Sequence, residues 1–376
     1  MRLAWFRPSE CDATVPLVTE LGAVHDLDIY TRARAHDFVS THFRSPYELC
    51  VFELNNTAAH AFIWPYLLQY SGMLLLASAT LHDSRACALA AAGRGDDYAA
   101  EFSFNEGHTT RRMRSALRAP NGSWPMLRVP LAAARLTAVP NLALADMLRD
   151  RFPHARIAYA PLPVRPADAR RRPTDAAAAV RFGIRAGDRV EVARRALTRA
   201  QALGAAAELI VHASTDRVLR EADVALDLCW PPGSDTQQVA RNALAAGIPL
   251  TALETIFTAD WPVLDPQTWH PRGRSADQPI AVTIDPRDEE HSLVLAMRRL
   301  SADSALRVEL GEAAYAWMQA HEGITLALEA WQRLLQEAVQ LDPPPRPDDW
   351  PAHLTADGTE RARAMLAEFG VTIDLF

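Results

Sequence analysis

The sequence predicts an α/β protein built in two units, and three observations carry that prediction. Short apolar runs of strand type alternate with helical patterns along the chain, the order that gives parallel sheets covered by helices. The 376 residues exceed what one hydrophobic core usually organises. An aperiodic stretch from Pro161 to Ala179, with its prolines and the run Arg170 to Arg172, divides the chain near its middle.

Composition narrows the function classes. Hydrophobic residues at 49% and charged residues at 23% describe an ordinary soluble globular protein. A net charge of −7 argues against nucleic acid as partner, because duplex binding needs a clustered excess of cations. All 39 basic residues are Arg, which excludes Schiff-base chemistry, pyridoxal-phosphate attachment and a Walker-type phosphate Lys. Cys11, Cys50, Cys87 and Cys229 form no CxxC pair and no metal-ligand rhythm with the histidines, so they read as idle thiols. Met1 to Pro8 is too brief for a signal peptide, and the apolar run Met73 to Ala79 falls far short of a membrane span. The expected location is the cytoplasm.

Leu3 to Phe6 reads as a buried strand, and Thr14 to Leu21 as the helix after it. The loop between them, RPSECDATVP, has no glycine, so a side chain on every residue hinders close backbone approach to a ligand. Asp28 to Tyr30 and Glu48 to Leu54 are the next strands, followed by Asn55, Asn56 and Thr57; Asn56 or Thr57 caps a helix with His60 in its first turns. Met73 to Ala77 is a fully apolar strand leading to Thr80, Leu81, His82 and Asp83, with Asp83 expected to cap a helix from Ser84 to Ala92. In DYAAEFSFNEGH, Glu106 and His108 either face a ligand or lie on a surface loop. Leu136 to Val139 is a strand, Asn141 caps a helix to Phe152, and Ile157 to Ala160 is the strand leaving this first unit. The expected divisions are 1–162, a linker 163–179, a second unit 180–341, and a tail 342–376 that packs back near the hinge.

In the second unit Val180 to Gly183 begins a strand and Asp188 to Ala202 is a helix. Glu208 to His212 is a strand, separated by only ASTDRVLRE from Ala222. Asp223 to Leu228 is an apolar strand broken by Pro231, Pro232 and Gly233; a helix from Thr236 to Ala246 ends at Gly247 and Pro249 and leads into another strand. Ser234, Asp235 and Thr236 are capping types, so free backbone N–H groups at this helix start suit the phosphates of a nucleotide. Ile280 to Ile284 is a strand, and helices follow at Asp288 to Leu300, Ser304 to Ala320 and Gly323 to Leu341. LDPPPRPDDWP cannot be helical, and Thr355 to Phe369 is a final helix.

The stretch from Ala222 to Ala252 resembles the second-domain motif of glycosyltransferase family 4. Leu244, Ala245, Gly247 and Pro249 match its closing Leu-Ala-x-Gly-x-Pro pattern, and Asp235 stands where many members carry the Glu that holds the donor sugar. Asn242 is nearest to the place of a second Glu that grips the ribose. Across RFGIRAGDRVEVARRAL, Gly183 and Arg189 align with a Gly-Arg-x4-Lys signature whose cations clamp the donor pyrophosphate; Ile184 holds the Arg position and Arg185 follows it. FELNNTAAHAFIWP and the Leu-His-Asp at 81–83 are similar to first-domain segments of the family, and PLPV at 161–164 to the end of its first domain. A further strand-helix unit, usual in the family, is missing where ASTDRVLRE stands.

The resemblance implies a GT-B fold, two Rossmann-like domains facing across a cleft. It implies a retaining, metal-independent glycosyltransferase with a nucleotide-sugar donor, a sugar or other hydroxyl acceptor, and no cofactor. His60, Arg185 and Arg189 would carry catalysis. Gly183, Ser234, Asp235, Thr236 and Asn242 would hold the donor, and Asn55, Asn56, His82, Glu106 and His108 would line the acceptor side. A nucleotide-sugar epimerase-like enzyme and a degenerate, non-catalytic binding protein or scaffold stand as alternatives.

Overall fold

The structure is a computed structural model and describes residues 1–9, 13–107, 124–164, 179–230, 238–273, 277–355 and 360–369. Ser234, Asp235, Thr236 and His108 lie outside the described residues. Two sheets form the frame. The first contains β1 (Arg2–Phe6), β2 (Asp26–Tyr30), β3 (Leu49–Leu54), β4 (Met73–Leu76), β5 (Leu136–Val139) and β6 (Ile157–Tyr159) in the order β2-β1-β3-β4-β5-β6. Every pairing in it is parallel. Its central strands are apolar without alternation because helices cover both faces. Phe6, Phe52 and Leu74 enter one core and Trp5, Val51 and Leu75 the other.

The second sheet contains β7 (Val180–Arg185), β8 (Ala207–His212), β9 (Val224–Asp227), β10 (Leu250–Leu253), β11 (Val263–Leu264), β12 (Pro271–Arg272) and β13 (Ala281–Ile284). Their order is β12-β11-β13-β10-β9-β7-β8, and only the short β11–β12 pair is antiparallel. One seven-residue helix, Thr215–Glu221, connects β8 to β9, and β8 is left as a sheet edge.

Each sheet reverses its winding beside its first strand. The chain steps outward from β1 to β2 and returns to β3, and likewise from β7 to β8 and back to β9. In open parallel sheets these switch points open a crevice beyond the carboxyl ends of the strands. The two carboxyl edges face each other. Asn141, which follows β5 and caps the helix Leu142–Arg151 by accepting from Leu144 N at 2.8 Å, donates through Nδ2 to Phe257 O at 3.0 Å in the loop after β10. Asp260 in the same loop accepts from Ala143 N, and Phe257 is buried in the core of the first sheet.

Several boundaries differ from expectation. The helix after β4 runs from His82 to Ala91, two residues earlier than predicted. The helix Ile324–Gln340 packs beneath the first sheet, not with the second: Trp331 is fully buried with its ring centroid 5.5 Å from that of Trp5, and its Nε1 donates to Pro161 O at 3.0 Å. Its apolar face alone cannot name the sheet it covers. The following segment also lies on the first unit, where Trp350 meets Phe104 edge-on at 5.3 Å, Asp349 pairs with Arg128 at 2.9 Å and His353 Nε2 lies 2.8 Å from Glu101 Oε1.

Candidate functional site

The fully buried β3 delivers Asn55, Asn56 and Thr57 to the first switch point. Asn55 is buried and its Oδ1 accepts from Asn56 N at 2.8 Å. Asn56 reaches across to the helix His82–Ala91: its Oδ1 accepts from Asp83 N at 2.7 Å and Ser84 N at 3.3 Å, and its Nδ2 donates to Asp83 Oδ2 at 2.9 Å. The cap predicted for Asp83 is therefore supplied by Asn56 from another loop, because the helix begins one residue before Asp83 and Leu81 at the cap position has no side-chain acceptor.

His60 lies in the 3-10 helix Ala58–Ile63 and is 4% exposed. Burial pushes its imidazole down to about 4, so the ring is neutral at pH 7. Its Nδ1 stands 2.9 Å from Thr57 Oγ1. His82 is also buried, 3.4 Å through Nδ1 from the Tyr98 hydroxyl, and desolvation lowers it against the opposing pull of Asp83 and Glu106. Glu106 is taken up structurally: Oε1 accepts from Met126 N at 2.8 Å and Oε2 lies 3.6 Å from Arg151.

At the second switch point, β7 ends in Arg185 and the turn Ala186-Gly187-Asp188 leads to Arg189. Arg185 Nη2 pairs with Asp188 Oδ1 at 3.1 Å, and Arg189 Nη2 with Glu289 Oε2 at 2.9 Å. Arg185 Nε, Asp188 Oδ2 and Glu289 Oε1 are buried without hydrogen-bond partners. Burial raises both Asp188 and Glu289, against the pull of Arg185 and Arg189 respectively. Asp227, the last residue of β9, accepts from Ala240 N at 3.2 Å near the start of the helix Gln238–Ala245. Burial first, then the charge of Asp188, pushes Asp227 up to about 6.

The structure thus gathers Arg185 and Arg189 on one turn and Asn55, Asn56, His60 and His82 on the opposing edge. It places Gly183 elsewhere, in mid-strand, where an added Cβ would come within 2.5 Å of Ala222 Cβ and 2.9 Å of Val218 Cγ1. Gly183 serves close helix-sheet packing. Asn242 is half-buried on the helix Gln238–Ala245.

Four side chains at these edges escape motif reading: Thr57, Asp188, Asp227 and Glu289. Asp188 could have been found as the only acid in the Arg185–Arg189 turn, and Asp227 as the sole charge, after three apolar positions, of the buried strand Val224–Asp227. A buried pair, Arg85 Nε with Glu101 Oε2 at 2.7 Å, with His353 on the same carboxylate, was equally silent because its members are distant in sequence. Among the described residues no group of three or more His, Cys, Asp or Glu is arranged to hold a metal ion. Nor is any described helix long and apolar enough to cross a membrane.

No protein-family model and no curated protein sequence matches the chain. Solved structures do. Anabaena HepE in complex with UDP and glucose is 10% identical, with 89% of this chain and 99% of that one covered and a TM-score of 0.52. Anabaena HepE in complex with UDP-glucose is again 10% identical, with 90% and 100% covered and a TM-score of 0.52. WaaG, a glycosyltransferase involved in lipopolysaccharide biosynthesis, is 12% identical, with 90% and 100% covered and a TM-score of 0.49. The chain has the GT-B fold.

Proposed function

We propose that this protein is a glycosyltransferase that moves a sugar from a nucleotide-sugar onto a hydroxyl acceptor. The observation that carries the reading is the pair Arg185 and Arg189 on the turn at the β7/β9 switch point, across from the edge that bears His60. Guanidinium groups match phosphate oxygens two bonds at a time and stabilise the charge that grows on a departing nucleoside diphosphate. The donor anion would take the places that Asp188 and Glu289 now hold beside them. Neutral His60 would then bind sugar hydroxyls by hydrogen bonding and not by charge. Likeness to family 4 adds retention of anomeric configuration without a bound metal, the leaving phosphate accepting the acceptor's proton.

One observation favours a second reading, a non-catalytic binding protein. Each expected phosphate ligand already has a carboxylate: Asp188 on Arg185, Glu289 on Arg189, and Asp227 on an amide of the helix Gln238–Ala245. Turnover decides between them. Incubating the protein with a nucleotide-sugar panel and reading products by mass spectrometry should show transfer, and Arg189→Ala should cut it by on the order of a hundredfold, the worth of a charge-assisted bond or two. Equal turnover in both proteins would remove Arg189 from the mechanism; donor binding without turnover would favour the second reading.

A further inference from the structure

We propose that Thr57 is the positioning residue for His60, holding its imidazole in the tautomer that presents Nε2–H to the crevice. This rests on the reading that His60 faces the donor sugar. Thr57 sits at the cap position of the 3-10 helix Ala58–Ile63 with extended backbone (φ −126°, ψ 154°), the geometry in which a Thr hydroxyl ordinarily accepts from the first amides of the helix. It makes no such bond. The amide of His60 bonds to the Thr57 carbonyl at 3.1 Å, and the hydroxyl is turned instead to His60 Nδ1 at 2.9 Å.

The ring has no other hydrogen bond among the described residues, and Nε2 is not among the buried polar atoms that lack a partner. One nitrogen is therefore held and the other stays open toward solvent. A neutral imidazole carries a single N–H. In the direction proposed, the hydroxyl donates its one hydrogen to Nδ1 and the ring proton sits on Nε2. The hydroxyl thereby fixes both ring orientation and proton position, so the crevice meets a donor matched to a sugar hydroxyl oxygen or a phosphate oxygen.

The test separates the tautomer from the reaction. Long-range 15N-edited NMR of the free protein at pH 7 should show His60 with a pyridine-type Nδ1 and a protonated Nε2, unchanged in Thr57→Ser and mixed in Thr57→Val. With a nucleotide-sugar turned over by the wild-type protein, Thr57→Val should lose roughly ten- to a hundredfold in kcat with little change in KM, and Thr57→Ser should recover most of it. A protonated Nδ1 in the wild-type protein overturns the proposal, as does Thr57→Val with wild-type tautomer and kcat. If no nucleotide-sugar is turned over, the transferase reading falls, while the NMR spectrum still decides what Thr57 does.

Discussion

Two buried side chains set opposite pH dependences over the same range. Asp227 is raised to about 6 in the folded chain, so the folded state holds a proton there that the unfolded state has released, and its contribution to stability falls as pH rises from about 4 to 6. His60 is lowered to about 4, so the unfolded state binds the extra proton and stability rises with pH up to the ordinary His value near 6.5. Each shift corresponds to roughly 3 kcal/mol, and the two nearly cancel. Asp227→Asn keeps an acceptor for Ala240 N while deleting the charge. Its urea stability should therefore climb more steeply between pH 4 and 6.5 than that of the wild-type protein, with a gain of about 1–3 kcal/mol at pH 7; coincident profiles would contradict the desolvation described for Asp227. The residues that motif matching finds are those with a family position, such as His60 and Arg189. Asp227 has no such position, and its chemistry comes from a strand end that only the folded chain creates.

At the scale of elements, the short turns between strands and helices decide which side chains reach the crevice, and a motif glycine can serve packing instead. Gly183→Ala should lower stability by about 1–3 kcal/mol through collision with Ala222 and Val218, seen as a lower thermal midpoint, and leave nucleotide affinity in the surviving folded protein unchanged. A selective loss of affinity at full stability would return Gly183 to the donor site. Strands were legible because parallel sheets bury both faces and so print unbroken apolar runs, as in MLLL of β4. The start of the helix His82–Ala91 was less so. Asn56 stands 27 positions away from Asp83, and no local cap rule spans that separation.

The whole molecule is held by contacts that cross between the two sheets. Arg241, on the helix Gln238–Ala245, donates to Glu322 Oε2 at 2.9 Å and to Leu162 O, with both side chains of the ion pair largely buried. Arg241→Ala would strand the Glu322 carboxylate, so the denaturation midpoint should fall by an amount equivalent to about 2–4 kcal/mol. An unchanged midpoint would show the pair to be ornamental. Sequence periodicity gave the helix Ile324–Gln340 its existence and not its address, since an amphipathic face fits either sheet until the crossing at Gly323 is known.

That crossing has a mechanical meaning. The polypeptide passes from one lobe to the other near Leu162 and comes back near Gly323, and a single guanidinium, that of Arg241, grips both passages. Both connections between the lobes are thereby tied to one cation, and a change at that side chain reaches the two of them together.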